Sequence, residues 1–281
     1  METRELRYFV AVAEELHFGR AAVRLGIAQP PLSRAVQQLE RRLGVALLDR
    51  SARGVTLTEA GSVLLRESRA ALDAVAAAER RTRRAGALDG TPSLVLVTKA
   101  GASVELLAKL LDAYAAEPGS ARVEVLLSGP GEQERTLRDG RADVALLHRP
   151  FDSTRGLDSE TLITEGQVVL LPAGHPFSGR ASVELADVQG LVDLPRPRWP
   201  RSDGSYPDGP GPQVHSHDQL LQLIGLGRTL AVLPESVRVQ LRNELTVVPV
   251  SDAPPVTTVI AWPPHATSPA LAALVRTATR L

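Results

Sequence analysis

Residues 17–43 read HFGRAAVRLGIAQPPLSRAVQQLERRL, and two helical patterns stand in them on either side of a tight turn. Ala21, Ala22 and Leu25 share one face of the first pattern, while Leu32, Val36, Leu39 and Leu43 recur at steps of four, three and four in the second. Each helix therefore has one apolar stripe and one free face. Gly26 follows the first stripe, where a left-handed C-cap is easiest without a Cβ, and Pro30 and Pro31 suit a first helical turn whose N–H groups have no intrahelical partner. One helix is predicted to end near Leu25 and the next to begin near Gln29 or Pro30. So short a turn sets the pair at a steep angle, the geometry with which a helix-turn-helix lays its second helix in the major groove of DNA. The free face of that helix offers Gln29, Ser33, Arg34 and Gln37. Arg pairs bidentately with guanine, Gln with adenine, and Ser with a base edge or a phosphate. A small solvated helical hairpin is the competing reading of these residues alone.

The flanks decide between the two. Upstream, Leu6, Phe9, Val10 and Ala13 form the stripe of a further helix; downstream, LGVALLDRSARGVTLTEAG at 43–61 gives two short strand-like runs around Ser51 to Gly54, a wing. Over Leu6 to Gly61 the chain resembles the LysR-type transcriptional regulators without a gap. The resemblance implies a winged helix-turn-helix in which Gln29, Pro30, Pro31, Ser33 and Arg34 lie at the entrance of the recognition helix. It also implies that a wing carrying Arg50 and Arg53 approaches the neighbouring minor groove or backbone. One departure is visible: where many members have Ser or Thr, this chain has Ala28, so about 1 kcal/mol of N-capping is missing.

Charge divides in the same place. The whole chain carries 32 basic and 32 acidic residues, but residues 1–86 hold 15 Arg against 10 Asp and Glu, a net of +5, which leaves −5 for the remainder. Such asymmetry points to a nucleic-acid-binding end and a part with other business. Only Lys99 and Lys109 are lysines, an arginine bias that reads as a GC-rich coding background. With no cysteine, disulfides and thiolate metal sites are excluded. The charged opening METREL lacks the apolar core of a secretory signal, and no apolar run reaches a membrane span, so the expectation is a cytoplasmic, nucleoid-associated protein without a membrane partner.

A long helical pattern runs from about Thr58 to Arg84, with Leu65, Ser68, Leu72 and Val75 at heptad-like spacing and alanines that allow close approach. A lone solvated linker helix is the alternative to a paired one. In the LysR family the corresponding helix pairs antiparallel with that of a second subunit, which implies a homodimer or homotetramer on double-stranded DNA. The expected division is a DNA-binding domain at 1–58, a linker helix at 59–87, a hinge at 88–92 and an effector domain at 93–281.

From Ser93 onward SLVLVT, ARVEVLL, ADVALLH, GQVVLLP, TLAVLP and TTVIAW read as strands, while Val104 to Glu117, Gly131 to Asp139, Asp218 to Leu226 and Pro234 to Asn243 read as helices. Alternation of this kind predicts an α/β fold. The family resemblance, carried here by EQERTLRDGRADVALL at 132–147 and GLGRTLAVLPES at 225–236, implies a two-lobed, periplasmic-binding-protein-like domain that binds a small-molecule effector between its lobes. Lobe I is expected at 93–163 plus 256–281 and lobe II at 166–250.

Ligands of open α/β sheets sit beyond the carboxyl ends of the strands, often against helix N-termini. That rule nominates Lys99, Gly101 and Ser103 after the first strand, Ser128 and Pro130 after the second, His148 and Arg149 after the third, and His217 with Asp218 before a helix of the other lobe. Lys99 and Arg149 would neutralise a carboxylate, with Ser103 or Ser128 donating to it. The plainer alternative pairs Arg149 with a nearby Asp and lets Lys99 reach solvent. Several family members place a hydroxyl where Gly101 and Pro130 stand here, so the anion cradle that the resemblance implies is partly dismantled. His215 and His217 alternate as a metal chelate would, but no tight ligand framework surrounds them, and no metal or cofactor is expected. The Pro- and Gly-rich stretch 194–212 reads as a surface loop in which Trp199 or Tyr206 is placed to act as a lid. Neither a G-x-S-x-G elbow nor a phosphate loop is present, so no catalysis is expected. Two other classes stay open: a ligand-independent DNA-binding regulator, and a small-molecule-binding or enzymatic two-lobed protein.

Overall fold

The computed structural model describes residues 1–51, 54–87, 93–201, 205–264 and 266–281. Arg53 and the hinge expected at 88–92 lie outside them. Among the described residues no helix is long and apolar enough to cross a membrane.

The N-terminal unit is built by α1 (Thr3–Glu15), α2 (Phe18–Leu25), α3 (Gln29–Leu43), the hairpin β1 (Leu48–Ser51) and β2 (Gly54–Leu57), and the long α4 (Glu59–Ala87). Each boundary has a local cause. Glu2 and Glu5 form a capping box on α1, and His17 Nδ1 accepts the Arg20 N–H at the start of α2. At its end Gly26 takes φ 66° and returns its N–H to the last turn, which closes α2 as the sequence predicts. No side chain caps α3 at Ala28. Leu32, Val36 and Leu39 are buried against Phe9, Val12, Ala21 and Ala22. Leu43, expected in that stripe, is 41% exposed instead, because the helix ends there on Gly44. On α1 Val12 is fully buried, whereas Val10 of the expected stripe is half-buried.

Thr58 turns the chain into α4. Its hydroxyl accepts the Gly61 N–H at 2.9 Å and donates to the Ala46 carbonyl at 2.8 Å, so one side chain caps the helix and ties down the wing. Gly61 is required there: a Cβ would lie 2.0 Å from the Leu47 carbonyl oxygen.

The second unit contains two sheets. In the first the order is β4-β3-β5-β10-β6. Here β3 (Ser93–Lys99) runs parallel to β4 (Arg122–Ser128) and β5 (Val144–Arg149), while β10 (Val256–Trp262) is antiparallel to β5 and to β6 (Asp158–Glu165). The alternation of the central strands buries both faces. Leu94, Leu96, Val144, Leu146 and Ile260 pack under α5 (Val104–Ala115) and α9 (Pro269–Ala278). Val95, Val97, Ala145, Leu147 and Val259 meet Leu137 of α6 (Gln133–Arg138) on the other side.

The chain leaves this sheet after Glu165 and enters the second at Gln167, whose order is β8-β7-β9. There β7 (Gln167–Pro172) lies antiparallel between β8 (Ala231–Pro234) and β9 (Leu245–Val250), with α7 (Leu185–Gln189) and α8 (His217–Gly225) packed around it. The return to the first sheet comes between Val250 and Val256. Six elements differ from the sequence expectation: β6, β9, α7, α9 and a 3-10 segment over Pro176–Gly179 have no counterpart in it, and the helix expected at Pro234 to Asn243 is a short 3-10 segment over Glu235–Gln240. Pro234 stands at its N-cap.

Candidate DNA-reading face and ligand cleft

On α3, at 100° per residue, Pro30, Ser33, Arg34, Gln37 and Arg41 fall in a sector about 100° wide, opposite the buried stripe of Leu32, Val36 and Leu39. Gln29 and Pro31 flank that sector in the first turn, both exposed; Ser33 is half-buried, and Arg34 and Gln37 are exposed. Arg41, not among the expected readers, stands on the same face, about 3.3 turns beyond Gln29.

The arginines of this unit divide by partner. Arg42 grips Glu5 with two hydrogen bonds, at 3.1 and 2.7 Å. That grip, first of all, holds the Glu5 carboxyl at about 2, well below its ordinary value of 4.5. Arg24 and Arg69 both reach Glu14 at 2.7 Å, and Arg20 reaches Glu15. Arg50, expected at the wing, has its Nη2 3.3 Å from Glu40 and its guanidinium 4.7 Å from the Phe18 ring centroid. Arg34 has no acidic partner among the described residues, so its charge is available to phosphate or guanine.

The second unit has a cavity of about 620 Å³ between its two sheets' lobes. Of the nine positions nominated from sequence, Lys99, Gly101, Ser103, Ser128, Pro130, His148 and His217 line it. Arg149 and Asp218 lie outside. Successive strand residues point to opposite faces: with His148 turned inward, Arg149 turns away and donates to Thr161 at 3.2 Å. Asp218 follows His217 by 100° around α8, is exposed, and stands 3.9 Å from Arg242.

Polar groups on the floor are engaged with one another. Ser103 does not cap α5; it takes a left-handed φ of 51° and its hydroxyl meets His148 Nε2 at 2.8 Å. Asp152, absent from the sequence reading, accepts the His148 backbone N–H at 2.8 Å and stands 3.6 Å from Lys99 Nζ. Burial pushes its carboxyl up, but the nearby His148 ring, the Lys99 charge and the His148 backbone N–H outweigh that and hold it below the ordinary aspartate range. His148 Nδ1 is buried 3.6 Å from Asp152, beyond hydrogen-bond reach.

Across the cavity the His217 ring lies against Gly101. A Cβ on Gly101 would come within 2.3 Å of that imidazole, and Gln240 Nε2 donates to the Gly101 carbonyl at 2.8 Å. The histidine ring thus occupies the space that a side chain at position 101 would take. His215 takes a different partner, the Tyr206 hydroxyl at 2.6 Å, and no cluster of metal-ligating side chains exists among the described residues. Leu127, Phe151, Trp199, Val232, Leu233 and Val237 supply an apolar wall, of which only Trp199 was singled out from sequence.

Two family models match. One described as bacterial regulatory helix-turn-helix protein, lysR family, covers residues 3–62, and one described as LysR substrate binding domain covers residues 89–281. The HTH-type transcriptional regulator AlsR of Bacillus subtilis is 36% identical over 207 residues, 71% of this chain and 66% of that protein. YnfL of Escherichia coli, an uncharacterised regulator of the same type, is 33% identical over 94% of this chain and 93% of its own. Full-length CbnR, solved in complex with its target DNA, superposes with a TM-score of 0.52 at 26% identity, over 100% of this chain and 99% of that one. These relatives are regulators, not enzymes, and the chain belongs to the LysR family of bacterial transcriptional regulators, with an N-terminal DNA-binding helix-turn-helix and a C-terminal substrate-binding domain.

Proposed function

We propose that this regulator reads promoter DNA through Gln29, Pro30, Ser33, Arg34, Gln37 and Arg41, and that a small molecule in the cleft between the lobes modulates that reading. The observation that carries the first half is Arg34: exposed, on the face opposite the buried stripe, and without an acidic partner among the described residues, whereas five neighbouring arginines are held by Glu5, Glu14, Glu15 and Glu40.

The cleft connects to the lobe crossover. Ser236 lines it, and the Ser236 N–H and hydroxyl both reach the carboxylate of Glu165, at 2.5 and 3.0 Å, one residue before the crossover at Gly166. A ligand touching that wall biases the lobe geometry to the extent that it binds one arrangement better than another. The exposed small side chains Ala70, Ala71, Ala74 and Ala78 along α4 suit close approach by a second copy, and a pair of reading heads suits a homodimer or a tetramer made of two.

Selection of bound fragments from a random DNA pool, followed by anisotropy titration, tests this. Wild-type protein is expected to enrich one motif with two half-sites. Arg34→Ala, with an unchanged circular dichroism spectrum, is expected to lose the enrichment while keeping weak salt-sensitive binding. Equal enrichment by wild type and variant would remove Arg34 as a reader.

A further inference from the structure

We propose that the cleft selects an electrically neutral, largely apolar ligand and discriminates against carboxylates, because the chain's own acids already occupy its anion-binding groups. The inference rests on the cleft being the effector site and specifies what that site takes.

Four groups would ordinarily receive an anion there, and each is spoken for. Lys99 Nζ stands 3.6 Å from Asp152, a carboxylate whose side chain is 5% exposed and which is fixed by the His148 N–H. The Gly129 N–H, in the loop after β4, donates to Glu132 Oε2 at 2.9 Å. Of the two serines, Ser103 is joined to His148, and Ser128 accepts from Gln133 at 2.9 Å while donating to the Thr98 carbonyl at 3.4 Å. Lys99 and Glu132 are the charged residues among those described as lining the cavity, and Asp152 lies directly behind Lys99. Lys99, Glu132 and Asp152 together carry no net positive charge. An entering carboxylate would shed its water, displace Asp152 from Lys99 and meet Glu132 at the same sign.

What the cleft offers instead is apolar area. Leu127 and Phe151 stand 60% and 58% exposed at its edge, with Trp199, Val232 and Val237 deeper in the wall. His217 Nε2 is buried without a hydrogen-bond partner among the described residues, and burial holds its ring below the ordinary histidine range despite Asp218 and Gln240. The His217 ring therefore adds uncharged surface to the cavity lining.

Matched probes decide the matter. Full-length protein is titrated, by calorimetry and by thermal shift, with 2-naphthamide against 2-naphthoate and cyclohexanecarboxamide against cyclohexanecarboxylate. In wild type each amide is expected to bind about tenfold more tightly than its acid. Asp152→Asn frees Lys99 and is expected to invert that order; the exposed substitution Glu132→Gln, which leaves the interior intact, is expected to raise acid affinity several-fold. Acids preferred by wild type, or amides still preferred to the same degree in both variants, would overturn the charge argument and leave the cleft as the effector site. Binding of no probe by any of the three proteins would overturn the cleft reading itself.

Discussion

Glu40 of the recognition helix holds Arg50 of the wing, Oε2 to Nη2 at 3.3 Å, while its other oxygen accepts the Leu47 and Leu48 N–H groups at 2.9 and 3.2 Å. One carboxylate therefore sets where the wing starts relative to α3. Replacing it with alanine orphans two backbone donors beside buried leucines, and Glu40→Ala is expected to lose about 2–3 kcal/mol in urea denaturation. Glu40→Gln keeps one acceptor and should lose about half as much. Equal stability of both variants and wild type would show that solvent replaces the carboxylate without penalty.

Gly101 carries a second expectation. Its φ of +78° strains any other residue by about 1 kcal/mol, and an added Cβ would overlap the His217 ring, at 2.3 Å. Gly101→Ala is expected to lower the melting temperature of the substrate-binding domain by several degrees. In the double variant with His217→Ala the ring overlap at 2.3 Å is removed, leaving a Cβ approach of 2.9 Å and the φ penalty. The pair should thus be less destabilising than the sum of the singles, a coupling that a double-mutant cycle measures.

Acid titration should separate two windows. The Glu5 carboxyl is lowered from 4.5 to about 2, chiefly by the Arg42 hydrogen bonds. A depressed carboxylate contributes stability that is complete above its unfolded value and is lost as pH falls through its folded one. The N-terminal unit should hold its melting temperature down to about pH 5 and decline between about 4.5 and 2, and Arg42→Ala should flatten that decline. His217 is a base lowered by burial, so its neutral form is the one the fold favours. Its contribution is present above the unfolded histidine value and begins to fade as pH drops below about 6.5. His217→Gln should remove that earlier component and leave the carboxylate window in place.

These residues also show what the chain discloses by itself. The limits of α2 and α3 are legible because Gly26 and Pro30 act locally, through backbone conformation and missing N–H groups. The burial of Leu32, Val36 and Leu39 follows from period alone. By contrast β6, DSETLITE, is an edge strand that pairs only with β10, and its polar composition hides it from any search for apolar runs. Choosing between His148 and Arg149 required the strand's facing, which sequence leaves ambiguous by one residue. Asp152 matters because Lys99, 53 positions earlier, is brought to 3.6 Å from it, a relationship that no local pattern announces. Its effect is large: it turns the one lysine of the cleft from an anion receptor into half of an ion pair.

The recognition face yields the last expectation, and the paired arginines supply its control. Arg34 is free to contact a base, so Arg34→Ala should weaken binding to the selected motif by about 1–3 kcal/mol and relax preference at one base pair per half-site. Arg41 lies on the same face two residues from the helix end; among the described residues its exposed guanidinium contacts only the Gln37 carbonyl, at 3.4 Å. If it meets phosphate, Arg41→Ala should weaken binding to all sequences alike and reduce the salt slope by about one. Arg24 is committed to Glu14 at 2.7 Å, so Arg24→Ala should alter stability more than base preference. Anisotropy titrations of the three variants on matched and mismatched duplexes, at several salt concentrations, separate the roles. A loss of base preference in Arg24→Ala equal to that in Arg34→Ala would mean that positioning of α2, rather than direct contact from α3, sets the specificity.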